Sequence, residues 1–486
     1  MKIMSTIKKW FGVNNPPQNI DRKKFLELEI KRWKCSKARL DAMLGERYYE
    51  GLHDILKKKR TSIGAGGELE EVKYLPNNKV VDNKFAELVD QKSNYLLSKP
   101  ITFETNNEKF DEALKQVFNA SFLNKLKNGG VDALCGGLFW LYVYYNEKGE
   151  LAFQRFKSYE VLPFWKDAEH TELDCAVRLY PVEVYSGERL EIVEKVEIFT
   201  VNGIERYELV NGRLVEDVEN PSGYYAYIGE KGFNWEQIPL ICFKANAKEI
   251  SLITRVKGLQ DALNDISNNL LDAMQENVHN TILVIKNYDG QDLSEFRKNT
   301  NTMGALKVKT VDGCEGGVEA LKVEVNAQNY ELVLKCLKKA IIENGRGFDA
   351  KDDRLGSNAN QMNLRSMYAS IDLDADNMEA EFKASFEQLM FFVKSYLATK
   401  GMGNFSEDVR ITFNRDIIVS ETEIIDNMVK LGVQLPNELL VGQMPFVDNV
   451  KDVMEMLKKE REEQVTEYQS AFPQQPDAGE DKGFHQ

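Results

Sequence analysis

Five carboxylates lie close together in the C-terminal half of the sequence, and they are the residues best suited to chemistry. They are Asp372, Asp374, Asp376, Glu379 and Glu381. Carboxylates at such short spacing can bind a divalent ion, and a bound ion can activate water for hydrolysis. One function that the sequence allows is therefore a metal-dependent hydrolase or nuclease that uses Asp372, Asp374 and Glu379.

The spacing of these carboxylates does not match a calcium-binding loop. A loop counted from Asp372 requires glycine at its sixth position and glutamate at its twelfth, but these positions hold Asn377 and Lys383. The surrounding pattern is helical, so the side chains project from a helix flank rather than converge. We predict a solvated or channel-facing acidic flank, including Asp372 and Asp376, and neither a metal site nor another cofactor site.

Other catalytic signatures are missing from the sequence. It contains no GxxxxGK[ST] phosphate-binding loop, no HExxH zinc motif and no GxSxG nucleophile elbow, and its four histidines are scattered. These motifs carry much of the recognisable chemistry of hydrolases and nucleotide-binding enzymes. The sequence therefore predicts no catalytic residues and a protein that is not an enzyme.

A polar loop, residues 345–359, precedes the helix that carries the carboxylates. It has three glycines and mixes Arg346, Lys351 and Arg354 with three aspartates. This composition predicts a mobile, solvent-facing segment. Two interpretations remain open. The loop is an ordinary surface connection, or it projects into a central opening if several copies of the chain surround an axis.

Three long amphipathic helices must position this loop, because apolar residues recur at steps of three or four. The first helix is predicted from Leu252 to about Val278, the second over 327–344 and the third from Ser357 to about Thr399. The third would be a rod of about 60 Å, which is long for a globular protein and typical of one that spans a wall or forms a conduit. The predicted stripe of the first helix is Leu252, Val256, Leu259, Leu263, Ile266, Leu270, Met274 and Val278. The predicted stripe of the third is Leu364, Met367, Ile371, Ala375, Met378, Phe382, Phe386, Leu389, Val393 and Leu397.

The rest of the chain reads as helices followed by strands, which predicts an α+β fold. Helices are expected over 21–49, 79–98 and 109–126. They are followed by a hairpin of Leu138–Tyr145 with Leu151–Phe156 and by further strands up to residue 250. The insert at 279–326 is also predicted to be rich in strands. A strand at 409–413 and further helices should follow the long helix, and from residue 464 the composition predicts disorder.

Charge and composition restrict the classes of partner. The 486 residues carry a net charge of −14, which disfavours a tight nucleic-acid binder with a basic footprint. DNA that must slide is still compatible, because an acidic wall repels phosphates and prevents sticking. The six cysteines form no CxxC and are expected to be reduced, mostly buried thiols of a cytosol-like compartment. No run approaches the ~18 apolar residues of a membrane span.

Four stretches of the sequence together resemble the portal (head–tail connector) proteins of tailed double-stranded DNA phages. They are Leu75–Phe103, Gly136–Phe156, Glu236–Glu276 and Ser357–Leu389. The similarity is strongest to the branch found in siphoviruses of Gram-positive bacteria and covers about residues 20–460. The order and spacing of the four stretches make it specific, rather than any single motif.

This resemblance implies a portal-protein fold with an α/β wing, a helical stem, a small β-rich clip, a long helix across the wing and a helical crown. The implied segments follow the chain: wing 1–250, stem helix 251–278, clip 279–326, stem helix 327–345, tunnel loop 346–359, long helix 357–404, crown 405–463 and disordered tail 464–486.

The resemblance also implies a function and a set of partners. Copies of the chain, usually twelve, would form a ring at one capsid vertex through which double-stranded DNA passes non-specifically during packaging and ejection. Further implied partners are the terminase, then the head–tail adaptor, and capsid and scaffold proteins, with no membrane; the ring would assemble in the host cytoplasm and remain in the virion. Arg346, Lys351, Arg354 and Asn358 would face DNA. A phage scaffold or minor capsid component is a weaker alternative.

Overall fold

The structure, a computed structural model, describes residues 21–63, 68–72, 75–228, 231–279, 282–286, 317–321, 327–349, 361–415, 441, 447 and 450–471. Within these residues, helices come first, antiparallel sheets follow, and long helices complete the chain. This arrangement confirms the predicted α+β class. The helices are α1 (Arg22–Lys34), α2 (Lys37–Tyr49), α3 (Lys84–Leu97), α4 (Glu108–Val117), α5 (Ala120–Gly136), α6 (Ile253–His279), α7 (Ala327–Asn344), α8 (Gln361–Thr399) and α9 (Val450–Ala471).

Two of the helices predicted near the N-terminus are each divided in two. The single helix expected over 21–49 is α1 and α2, because the Ser36 side chain accepts a hydrogen bond from the Arg39 N–H and begins a new helix. The helix expected over 109–126 is α4 and α5, because the Asn119 side chain caps α5 by accepting from the Phe122 N–H. Such caps satisfy backbone donors that a helix start leaves unpaired. Both predictions of one continuous helix were wrong.

Antiparallel sheets occupy the middle of the chain. The strands are β1 (Thr61–Ile63), β2 (Leu69–Glu71), β3 (Thr102–Glu104), β4 (Leu138–Tyr145), β5 (Leu151–Lys157), β6 (Val161–Trp165), β7 (Leu173–Ser186), β8 (Arg189–Thr200), β9 (Gly203–Val210), β10 (Arg213–Glu216), β11 (Ala226–Ile228), β12 (Lys231–Phe233), β13 (Leu240–Lys244), β14 (Ile282–Lys286), β15 (Gly317–Leu321) and β16 (Arg410–Thr412). The strands β6 to β10 form a five-stranded sheet in the order β10-β9-β8-β7-β6, and β4 lies between β13 and β5 in a three-stranded sheet. The predicted hairpin is confirmed as β4 and β5.

The long helix α8 packs its apolar stripe on the three-stranded sheet. Phe382 lies with its ring centroid 5.1 Å from that of Phe243 and 6.1 Å from that of Phe139, and Phe386 lies 5.4 Å from Phe243. Burial of each such side chain stabilises the fold by about 1.5–3 kcal/mol. The predicted stripe is confirmed from Ile371 to Leu397, since all eight of its members in that range are buried. The predicted helix end at Thr399 is also confirmed, whereas its start at 357 lies outside the described residues.

The helices α6 and α7 pack against each other, and β14 pairs with β15 between them. Helix α7 has the predicted bounds, and α6 starts one residue later and ends one residue later than predicted. After α8, strand β16 pairs with β3 and so ties the C-terminal part of the chain to the N-terminal part.

Helix α9 continues past Glu463 to Ala471. The first residues of the segment predicted to be disordered are therefore helical, which corrects that prediction. Most of 405–463 after Arg415, most of the insert 279–326 and the end of the chain from 472 lie outside the described residues.

The cysteines that the structure describes are free thiols. Cys135, Cys175 and Cys242 are buried, and Cys35 and Cys336 are exposed. Burial raises the pKa of Cys175 to about 12. In the described part of the chain, no helix is both long enough and apolar enough to cross a bilayer.

Candidate functional site on the long helix

Asp374 of α8 binds three cations that come from three other parts of the fold. Its Oδ2 accepts hydrogen bonds from Lys92 Nζ at 2.8 Å and from an Arg255 guanidinium nitrogen at 2.7 Å, and its Oδ1 accepts from Arg346 at 2.8 Å. Lys92 lies on α3, Arg255 in the first turn of α6, and Arg346 just after α7. We call these four residues the Asp374 cluster. It joins the long helix to both helices of the α6–α7 pair.

The Asp374 cluster has an excess of two positive charges, because three cations meet one carboxylate. Only 4% of the Lys92 side chain is exposed, and burial lowers the pKa of Lys92; Asp374 opposes that shift, while Arg255 and Arg346 add to it. Burial alone would raise the pKa of Asp374, but Lys92 and Arg255 outweigh it and the pKa is lowered. Asp374 is therefore ionised, and it holds a buried ammonium in place.

Arg415 is the centre of a second group of charges on α8. Its guanidinium donates to Asp372 at 2.8 Å, to Glu379 at 2.9 Å and to Asp376. Lys383 binds Glu379 at 2.7 Å from one helical turn away. We call these five residues the Arg415 cluster. Its three carboxylates and two cations leave an excess of one negative charge.

The two clusters lie on opposite sides of the helix, and this arrangement corrects the hydrolase hypothesis. At about 100° per residue, Asp374 is roughly 170° around the axis from the mean direction of Asp372, Asp376 and Glu379. The three carboxylates proposed to share a metal ion, Asp372, Asp374 and Glu379, therefore do not converge, and arginine or lysine binds each of them. Among the residues that the structure describes, no group of three or more His, Cys, Asp or Glu is arranged to hold a metal ion.

The start of the polar loop is packed against the protein, contrary to the prediction of a mobile, solvent-facing segment. The Phe348 ring is buried and stacks on Tyr368 at 4.6 Å. The Gln91 side chain accepts from the Phe348 N–H at 2.7 Å and donates to its carbonyl at 2.6 Å. A Cβ atom at Gly347 would lie 2.3 Å from the Leu88 side chain, so glycine permits the close approach to α3.

Of the four residues predicted to face DNA, the structure describes one. Arg346 extends from this anchored start with 45% of its side chain exposed, and it binds Asp374. Its backbone has φ +51°, a conformation that favours glycine, and its carbonyl accepts from Lys92 Nζ at 3.0 Å. Lys351, Arg354 and Asn358 lie outside the described residues.

A polar face of α6, which the sequence reasoning missed, fixes the chain that precedes α3. Its side chains bind the non-helical segment 78–83 and the first turn of α3, mostly through backbone groups. Asn268 accepts from the Val80 N–H at 2.7 Å and donates to the Val80 carbonyl at 2.8 Å. This pairing keeps residues 79–83 extended, so α3 begins at Lys84 rather than at the predicted residue 79. The buried members of the face recur every four residues: Gln260, Asn264, Asn268 and Asp272. That spacing was the available signal.

Comparison with known proteins places the chain among phage proteins. A family model described as "Phage portal protein, SPP1 Gp6-like" matches residues 30–467. The portal protein of Bacillus phage SPP1 is 26% identical over 423 residues, which cover 86% of this chain and 82% of that protein. The portal protein of Clostridium phage phiCD119 is 24% identical over 444 residues, which cover 88% of this chain and 94% of that protein.

These matches confirm the resemblance seen in the four sequence stretches, including its link to phages of Gram-positive bacteria. The two matches cover most of the length of both relatives. The family model extends from a residue within α1 to a residue within α9. The α+β chain, with its long helix and two charge clusters, therefore belongs to the SPP1 Gp6-like family of phage portal proteins.

Proposed function

We propose that this chain forms a closed ring at one capsid vertex and that double-stranded DNA passes through the ring during packaging and ejection. Family membership over residues 30–467 carries this proposal. Heterologous contacts whose rotation closes produce rings of identical subunits. The number of subunits that the family resemblance implies is twelve, and the ring assembles in the host cytoplasm.

Exposed apolar side chains on the α6–α7 pair support assembly. Met274 on α6 is 55% exposed, and Leu332 and Val333 on α7 are 62% and 41% exposed. The two helices pack against each other, and exposed apolar surface of this kind is available for association with another copy. In the ring, these side chains pack against neighbouring copies of the same helices.

The proposed segments follow the order of the chain. The wing is 1–250, the stem is 251–278 with 327–345, and the clip at 279–326 meets the terminase and later the head–tail adaptor. The tunnel loop is 346–359, the long helix that crosses the wing is 357–404, and the crown is 405–463. Capsid and scaffold proteins contact the outside of the ring.

Weak contact with DNA follows from the charge balance. Lys351, Arg354 and Asn358 face the DNA and touch phosphates transiently, while the net charge of −14 keeps the wall from holding DNA tightly. Arg346, which the sequence also predicts to face DNA, is bound to Asp374 at the start of the loop. Asp376, which is 64% exposed even though it binds Arg415, contributes most to the acidic flank. Each neutralised phosphate would add salt-sensitive affinity, so few cations suit a channel through which DNA must slide.

Negative-stain imaging together with a mass measurement tests the ring. We expect closed annuli with a central opening and a mass that is a whole multiple of 55.7 kDa. A chain that stays single at high concentration and never forms an annulus would contradict the proposal.

The role of the loop has its own test. Lys351→Ala with Arg354→Ala should leave the ring intact and alter DNA packaging or retention. The matched control is Lys458→Ala with Lys459→Ala, two exposed lysines of α9, which should package as wild type does. Unchanged packaging in the loop variant would show that these two cations of the loop have no role in DNA packaging.

A further inference from the structure

The two charge clusters of α8 are complementary to each other but cannot meet within one chain. The Asp374 cluster has an excess of positive charge and the Arg415 cluster an excess of negative charge. The buried stripe of Ile371, Ala375 and Met378 runs between them. The core contact of the helix therefore separates a cationic flank from an anionic flank.

Both flanks remain accessible to a partner. On the cationic flank, Arg346 and Arg255 have 45% and 36% of their side chains exposed. On the anionic flank, Asp376 is 64% exposed and Asp372 is 36% exposed. Each excess charge thus belongs to side chains that water still reaches and that another molecule can contact.

We propose that these flanks form the contact between neighbouring copies of this chain, with the Asp374 cluster of one copy facing the Arg415 cluster of the next. This inference rests on the ring proposed above. Charge complementarity identifies a second copy of this chain as the partner of these flanks. Phosphates of DNA would be attracted to the cationic flank alone and would leave the anionic flank without a partner, whereas a second copy satisfies both.

The geometry also suits a ring. A contact that joins opposite sides of the same helix is head-to-tail, and each copy offers one flank to each of its two neighbours. Complementary charges at such a contact steer association and fix the register between the partners, and like charges placed opposite each other cost several kcal/mol. The apolar surface of the α6–α7 pair supplies buried area between neighbouring copies. The charged flanks of α8 fix the relative orientation of those copies.

A pair of charge reversals tests the contact. Arg346→Glu leaves Lys92 and Arg255 bound to Asp374, and Asp376→Arg leaves Asp372 and Glu379 bound to Arg415, so both chains should keep their fold. Each variant alone places like charges at every contact. We expect each to need at least ~10-fold more protein than wild type for half-assembly, measured by native mass spectrometry.

Mixing the two variants should restore the ring. In an alternating ring with an even number of subunits, the glutamate introduced at position 346 of one variant faces the arginine introduced at position 376 of the other. At the remaining contacts the unchanged Arg346 and Asp376 face each other. The mixed rings should contain both chains in equal amounts. Glu188→Arg, an exposed reversal in the β7–β8 turn, is the control and should assemble as wild type does.

Several results would overturn the proposal. If Arg346→Glu and Asp376→Arg each assemble at the wild-type concentration, the flanks do not meet. Rings of Arg346→Glu that assemble normally but lose DNA retention would assign the cations to DNA instead. Failure of the mixture to recover would show that the charges act only within each chain.

Salt provides a readout that needs no variant. Raising the ionic strength from about 0.1 M to about 1 M shortens the Debye length from about 10 Å to about 3 Å. The wild-type concentration for half-assembly should rise by at least ~10-fold over this range. A salt-independent ring would contradict the contact while leaving the proposed function intact. A wild-type chain that never forms a ring would contradict the proposed function itself.

Discussion

Gly45 of α2 lies directly against the backbone of Cys135 on α5, so that a Cβ atom at Gly45 would be 2.0 Å from the Cys135 carbonyl oxygen. The same carbonyl accepts a hydrogen bond from the Ser251 hydroxyl, just before α6. One point of backbone contact therefore holds α2, α5 and the start of α6 together. A side chain at position 45 cannot avoid this contact by rotating, because the obstacle is backbone.

Gly45→Ala should destabilise the fold. The methyl group must push α2 away from α5, and overpacking of this kind costs about 1–3 kcal/mol. Chemical denaturation of the wild-type and variant chains measures the change in the free energy of unfolding. Gly258→Ala on α6 is the matched control, because among the described residues no atom outside the local backbone of α6 lies within 4 Å of the added Cβ. Alanine is the better helix former by about 1 kcal/mol, so the control should be slightly more stable than wild type. Equal effects of the two substitutions would show that the helices do not approach as described.

Elements set by apolar periodicity could be predicted from the sequence. The stripe of α8 from Ile371 to Leu397 and the bounds of α7 follow from residues that bury against a continuous apolar surface. The bounds of α6 were predicted to within one residue, but the prediction of a continuous apolar stripe along it was wrong beyond Leu263. Its buried side passes from Val256 and Leu263 to polar residues, and Met274, a member of the predicted stripe, is 55% exposed. An apolar pattern cannot reveal that a helix packs against an extended backbone, whose N–H and C=O groups require polar partners.

Asn268→Ala tests this polar face. It removes both hydrogen bonds between the buried Asn268 side chain and the Val80 backbone, and each such hydrogen bond contributes about 0.5–1.5 kcal/mol net. We expect a loss of about 1–3 kcal/mol in the free energy of unfolding and faster hydrogen exchange at the Val80 amide. Asn269→Ala is the control, since the side chain of Asn269 is exposed and binds only the half-buried Lys58 among the hydrogen bonds described. Unchanged protection of Val80 in Asn268→Ala would contradict the pairing.

The charge clusters could not be derived from the sequence for a different reason. The acidic residues are adjacent in the chain, but the cations that divide them into two groups are distant: Lys92, Arg255 and Arg415 each come from another element. Helical spacing alone places Asp374 on the other side from Asp372 and Asp376. The identity of its three cationic partners depends on how α3, α6 and α7 pack, which no local pattern determines.

Asp374→Asn should lower the stability of the fold far more than Asp376→Asn. Without the carboxylate, Lys92 is left as a buried ammonium with no counter-charge, and breaking a buried pair costs about 3–5 kcal/mol. Asp376→Asn removes an exposed carboxylate, and exposed ion pairs contribute at most about 1 kcal/mol. Thermal denaturation of the two variants provides the comparison.

Because the pKa of Asp374 is lowered in the fold, the stabilisation that its carboxylate provides is present above the ordinary value of 3.8 and is lost as the pH falls through the folded pKa. The two variants should therefore differ at neutral pH and converge in strong acid, and a difference of less than about 1 kcal/mol at neutral pH would show that Lys92 does not depend on Asp374.

Asp132 on α5 gives the opposite dependence on pH. Burial raises its pKa to about 6 and outweighs the opposing charge of Arg155. Since the folded pKa lies above the ordinary value of 3.8, the protonated form favours the folded state. Its contribution is complete below about pH 4 and is lost as the pH rises through about 6. The difference between a pKa of about 6 in the fold and the ordinary 3.8 corresponds to about 3 kcal/mol. Asp132→Asn cannot titrate, so between about pH 4 and about pH 7 wild type should lose about 3 kcal/mol of stability that the variant keeps.

The control is Asp265→Asn, a change of an exposed residue on α6, and its stability should depend on pH as that of wild type does. Parallel stability curves for wild type and Asp132→Asn over this range would show that burial at this site does not hold a proton on Asp132.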